Sequence, residues 1–304
     1  MNRSLLAFPL ASLLVALPGC DWLGKLRGDG APAGAGSASA RASASAAPGL
    51  PASFAAMQVP AGEAPDGAWL PAYAVGRAAG SDGLTFERAA RACRDRGQEL
   101  CTETQWTRAC EVHGALGAVA SYTLGAARPG AVVVRGAGGC AARAEVAAAS
   151  VDPARAALCC TRAVAITSAN ADESFRAGSA ARLLAYERAV RARDAGALRA
   201  VLGEQVIFDG RDQPRGEVQA ALMGQPAAGA PILDRCEVAL DRSGPEPLLV
   251  SDCRVLAAGA PALTPLRIVH GGPDTKVLLV GAPEAMPLLD RGKKQRASEL
   301  IGGD

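Results

Sequence analysis

Apolar positions along the chain fall into four regimes. The first is an apolar run over 5–17, behind the basic start Asn2-Arg3. It is too short to cross a bilayer as a helix and fits the core of a signal peptide. The second, 28–51, is almost entirely Ala, Gly, Ser and Pro, with no apolar period. Such a stretch has nothing to bury against its ordering entropy, so it is read as a flexible tether. A coil of this length spans roughly 25–30 Å, enough to clear lipid headgroups.

Helical spacing begins at Thr85. Phe86, Ala89, Ala90 and Cys93 share one face, Thr85 is placed to cap the start and Gly97 to end the helix. A second helix is predicted over 103–112, with Thr102 and Gln105 as its capping pair and Trp106, Ala109 and Cys110 on one face. Over 179–202, Leu183, Tyr186 and Val190 precede Leu198, Val201 and Leu202, and Asp194-Ala195-Gly196 separates them into helix, turn, helix. The period then changes to two. A short strand Val206-Ile207-Phe208 runs into the turn Asp209-Gly210, a small helix occupies 217–223, and strands follow at 232–241, 248–256, 266–270 and 275–280. The pattern divides the chain into a signal peptide at 1–20, a tether at 21–53, a globular domain at 54–167, a connector at 168–177 and a second domain at 178–304. The class is α+β.

Composition changes this picture in three ways. Apolar residues make up 49% of the 304 but aromatics only 4%, so the cores are expected to be built from Ala, Val and Leu. A net charge of +2, from 32 basic and 30 acidic residues, sets up no field of one sign, and nucleic acid is not an expected partner. Nine cysteines are too many for spare thiols in an exported chain. If Cys20 is set aside, an even number remains, enough for four disulfides. A hairpin folded between Gly244 and Pro245 places Cys236 opposite Cys253, Val238 opposite Ser251 and Leu240 opposite Leu249, which predicts a Cys236–Cys253 disulfide. Cys159 and Cys160 are adjacent on a predicted strand, so their side chains point to opposite faces and each pairs elsewhere. A Cys/His metal site needs close ligand spacing with histidines nearby. Only His113 qualifies, so neither a metal nor another cofactor is expected.

Three stretches resemble known families. Leu17-Pro18-Gly19-Cys20 resembles the lipobox of bacterial lipoproteins, with Pro18 departing from the usual residue at its position. That resemblance implies cleavage before Cys20, acylation of its thiol, and an anchor holding the folded part on the periplasmic or cell-surface side of the envelope. In 54–167, Val59-Pro60-Ala61-Gly62 and the series Ala89, Cys93, Gly97, Leu100-Cys101-Thr102-Glu103, Trp106, Ala109-Cys110 are followed by Tyr122, Gly125, Cys140 and Leu158-Cys159-Cys160. Together they resemble the formylglycine-generating-enzyme (sulfatase-modifying factor) family. The implied fold is C-type-lectin-like. By the same resemblance Cys93 and Cys101 tie to the closing pair Cys159 and Cys160, in either order, and Cys110 ties to Cys140. The family's long second half, with its copper-binding thiol pair, has no counterpart here, so no catalytic cysteine is carried over and that activity is not expected. In 178–304, Leu184-Ala185-Tyr186-Glu187-Arg188-Ala189-Val190, Asp194, Ala197-Leu198 and Val206, Phe208, Gly210 resemble the nuclear-transport-factor-two-like (SnoaL-like) superfamily. This implies helices against a curved antiparallel sheet that forms a cone.

The leading functional expectation is a non-catalytic envelope lipoprotein, a binding or assembly module. Its partners would be the membrane, through the anchor, and an envelope protein or small ligand. The alternative is a small-molecule enzyme, isomerase- or hydrolase-like, with His270 and Asp252 as its base and carboxylate inside the cone.

Overall fold

A computed structural model describes residues 56–78, 83–225, 231–242, 246–257, 260–272 and 274–283. The signal peptide, Cys20 and the tether assigned from sequence lie outside them. In the first half, β1 (Met57–Val59), β2 (Gly62–Glu63), β3 (Trp69–Leu70) and β4 (Tyr73–Arg77) lead into α1 (Phe86–Arg94), β5 (Glu99–Leu100) and α2 (Glu103–Val112). After a 3₁₀ turn come β6 (Ala120–Thr123), β7 (Ala131–Arg135), β8 (Arg143–Ala147), β9 (Arg155–Cys160) and β10 (Ala165–Thr167). The second half runs α3 (Glu173–Ala192), α4 (Ala195–Val201), β11 (Leu202–Phe208), β12 (Arg211–Pro214) and α5 (Arg215–Gly224). It closes with β13 (Ile232–Asp241), β14 (Leu248–Ala257), β15 (Ala260–Gly271) and β16 (Lys276–Gly281). The class is α+β.

The two predicted helices of the first half form with the predicted caps. Thr85 Oγ1 accepts the Arg88 amide at 3.4 Å, and Thr102 with Gln105 makes a reciprocal capping box on α2. The first sheet has the order β1-β4-β9-β6-β7-β8, with β5 also pairing to β9. Its central strand β9 is covered on both faces, which is why Ala156 to Cys160 form one continuous buried run. Adjacent residues of that run feed different cores. Leu158 and Cys160 pack with Leu70, Trp106 and Cys101, whereas Ala157 and Cys159 pack with Ala89, Cys93 and Tyr122.

The second sheet has the order β12-β11-β16-β15-β14-β13-β10-β3-β2. The strands β13 to β16 form the expected antiparallel meander, but β10 joins β13 in parallel and β11 joins β16 in parallel. Parallel neighbours need a long crossover, and the segment carrying α3, α4 and α5 supplies it between β10 and β13. Ile166 of β10 pairs with Trp69 on one side and Cys236 on the other, so strands drawn from 54–167 continue the sheet of 178–304. The helix α3 starts inside the segment read as a connector. There Asp172 caps it by accepting the Ser174 amide at 2.8 Å. α3 ends at Arg193 in the left-handed conformation (φ 52°), and Asp194 then caps α4 through the Ala197 amide at 3.0 Å.

α3 lays Ala180, Leu183, Tyr186 and Val190 on the sheet's inner face against Val238, Leu249, Ile268 and Val277. Each large side chain buried this way contributes about 1.5–3 kcal/mol. The opposite face carries a smaller cluster of Ile207, Val269 and Leu279.

Candidate functional site

Four disulfides organise the described residues. Cys93 bonds Cys159, Cys101 bonds Cys160, Cys110 bonds Cys140 and Cys236 bonds Cys253, with Cα separations of 5.2, 4.8, 5.6 and 4.0 Å. The first pins α1 to one face of β9, and the second pins the residue after β5 to the other face. The order left open between Cys93, Cys101 and the closing pair is thereby fixed. The fourth bond lies directly across the β13–β14 ladder, where Cys236 opposes Cys253, Val238 opposes Ser251 and Leu240 opposes Leu249. With these eight cysteines bonded, no thiol pair is left among the described residues for the copper chemistry of the sulfatase-modifying enzymes. His113 caps the end of α2, with Nε2 3.1 Å from the Gln58 carbonyl oxygen. No group of three or more metal-ligating side chains occurs among the described residues.

His270 and Asp252 do not meet. Their strands pair so that Leu249 opposes His270 while Asp252 opposes Arg267. Alternation then sends Asp252 and Arg267 to one face of the sheet and His270 to the other. Asp252 is engaged there by Arg267, whose Nε and Nη2 donate to its two oxygens at 2.6 and 2.7 Å. The acid–base pair of the enzymatic alternative is therefore not assembled.

What His270 does join is a cavity of about 430 Å³ at the turn end of the inner face. Its floor is a row across three strands, Leu240, Leu249 and His270, which the disulfide two rungs away keeps in register. Its roof is Phe175 and Arg182 of α3. Glu246 and Pro247 stand at its rim on the turn before β14. His270 is only 3% exposed, and its Nδ1 is buried with no hydrogen-bond partner. Burial, reinforced by the Arg182 charge, pushes its pKa down to about 4, so the ring is neutral at pH 7. Ser251, one rung along the same face, is fully buried, and its hydroxyl also lacks a partner. Gly271 leaves room beside His270 for two leucine side chains. A Cβ there would lie 2.4 Å from Leu248 Cδ2 and 2.8 Å from Leu278 Cδ1.

No protein-family model, curated protein or solved structure matches the chain.

The family resemblances of 54–167 and 178–304 thus rest on their sequence motifs. A second polar site, not foreseen from sequence, lies where the two halves touch. The Glu187 carboxylate of α3 accepts from Arg162 Nε at 2.8 Å, from Arg162 Nη2 at 2.7 Å and from the Leu233 amide at 2.8 Å. Arg162 also donates to the Leu233 carbonyl at 2.7 Å, and Arg191 links Glu187 to Glu99 of β5. Burial works against both charges. Even so, the Arg162 guanidinium holds the Glu187 carboxyl below its usual range, and Glu187 raises Arg162 in return. Nearby Asp234 sits where the β13–β14 register skips a residue, with one carboxylate oxygen buried and unpartnered. Burial raises its pKa to about 6 against the lowering effect of Arg162. Arg182 and Glu187 were legible only as charges interrupting the apolar stripe of α3, a signal that does not say what they face.

Proposed function

We propose that the chain is an exported lipoprotein, anchored through Cys20, whose folded part is a non-catalytic binding or assembly module on the periplasmic or cell-surface side of the envelope. The observation that carries this reading is the use of cysteine. Of nine in the sequence, eight are consumed by four disulfides, and Cys20 at the lipobox-like site is left over. Four disulfides suit an oxidising compartment outside the cytoplasm. The non-catalytic part rests on the separation of His270 from Asp252 and on the bonding of every cysteine that a thiol oxidase would need free.

Cell fractionation tests the anchor. Wild-type protein is expected with membranes, and Cys20→Ser in the soluble exported fraction. A Cys20→Ser protein that stays membrane-bound would overturn it. Copper-supplied protein is expected to leave a sulfatase-type cysteine peptide unconverted, and turnover above a heat-inactivated control would reverse the non-catalytic reading.

A further inference from the structure

The cavity beside His270 carries more than a general binding role. At about 430 Å³ it lies in the range that holds small ligands, and most of its wall is aliphatic or aromatic. Two polar side chains converge on it. The His270 side chain makes no hydrogen bond to any described residue, and Arg182, half-buried in the roof, has no carboxylate or carbonyl partner among them. Leaving the buried imidazole nitrogen unpaired costs free energy that an oxygen-bearing ligand would recover, and the Arg182 guanidinium beside it offers that ligand a cation. Phe175 and Arg182 are two helical turns apart on α3, so the cation and the ring project over the same floor. Among the described lining residues the one carboxylate, Glu246, is exposed at the rim, where water screens it.

We propose that this cavity binds a small apolar monocarboxylate, its carboxylate held by Arg182 with His270 as a hydrogen-bonding partner, and its body packed on Leu240, Leu249 and Phe175. The proposal rests on the binding-module reading and names the ligand class for it. Guanidinium is the cation best matched to a carboxylate, because its planar fork donates to both oxygens. The neutral imidazole adds an N–H without adding charge, so a doubly charged acid gains nothing from it. The His270 ring sits here because the Cys236–Cys253 bond and the β14–β15 pairing hold this rung of the meander in register.

The test is a calorimetric titration of the full exported chain with three probes of one shape: 4-phenylbutyrate, 4-phenylbutanol and 4-phenylbutylamine. The acid is expected to bind saturably, with the alcohol and the amine at least about tenfold weaker, the loss of one charge-assisted contact. Arg182→Gln should weaken the acid by a similar factor and bring it level with the alcohol, while leaving the thermal melt and the four disulfides unchanged. Leu249→Trp, which fills the floor, should abolish binding of all three. No binding of the acid, equal binding of the three probes, a preference for the amine, or an unchanged Arg182→Gln titration would each overturn the proposal. A failed titration with Cys20 still acylated would leave the anchored module standing, whereas binding without acylation would leave only the pocket.

Discussion

His270 and Asp234 are pushed in opposite directions, and their effects on stability oppose each other with pH. The folded pKa of His270, about 4, lies below its ordinary 6.5. As pH falls from 6.5 to 4 the unfolded chain therefore takes up a proton that the folded protein refuses, and stability present above 6.5 is lost. The folded pKa of Asp234, about 6, lies above its ordinary 3.8. There the folded protein takes up the proton first, so stability is gained as pH falls through 6 and is lost again on the way up. Each effect is worth up to about 3 kcal/mol, so the two nearly cancel in the wild type. Urea midpoints should show the cancellation removed. Asp234→Asn should lose stability from pH 6.5 to 4, and His270→Gln should gain it. Parallel slopes for the two variants would contradict the assignment. The separation of His270 from Asp252 was already legible in the sequence. The predicted hairpin put Cys236 and Cys253 on one side, and Asp252, next to Cys253, belongs on the other face. What was not legible is Arg267, which neutralises Asp252 from a strand whose register depends on the following turn.

At the scale of elements, capped helices and the β13–β14 hairpin were readable because caps and period-two alternation are local. β10 was not. Its three residues are too few to show a period, and its neighbours, Trp69 on one side and Cys236 on the other, are far away in sequence. The same holds for the Arg162–Glu187 pair, which joins the loop after β9 to α3 across 25 residues. That pair gives a sharp prediction. Arg162→Ala should destabilise the protein by about 3–5 kcal/mol, because it strands a buried carboxylate, whereas Arg162→Met with Glu187→Leu should recover most of the loss. Matching denaturation curves for the single and double variants would show that the pair does not act as a unit. Replacing Cys236 and Cys253 together by alanine should cost about 3 kcal/mol from the short loop it opens. It should also loosen the cavity floor, seen as faster amide exchange at Leu249 and His270.

For the whole molecule, the halves are bound by a shared sheet, through β10, and by the Arg162, Glu187, Arg191 and Glu99 chain. That sharing makes a lone fragment of either half a poor surrogate for the protein. The export reading spans the scales: cysteine pairing at residues, disulfide-pinned elements, and a single cysteine left over ahead of a tether. Intact-mass measurement of the protein extracted from membranes, with alkylation before and after reduction, tests all of it at once. The expected species is a chain beginning at Cys20 that carries acyl groups, takes up no alkyl group before reduction and takes up eight after it. A chain that keeps residues 1–19, an unmodified Cys20, or any thiol alkylated before reduction would contradict it.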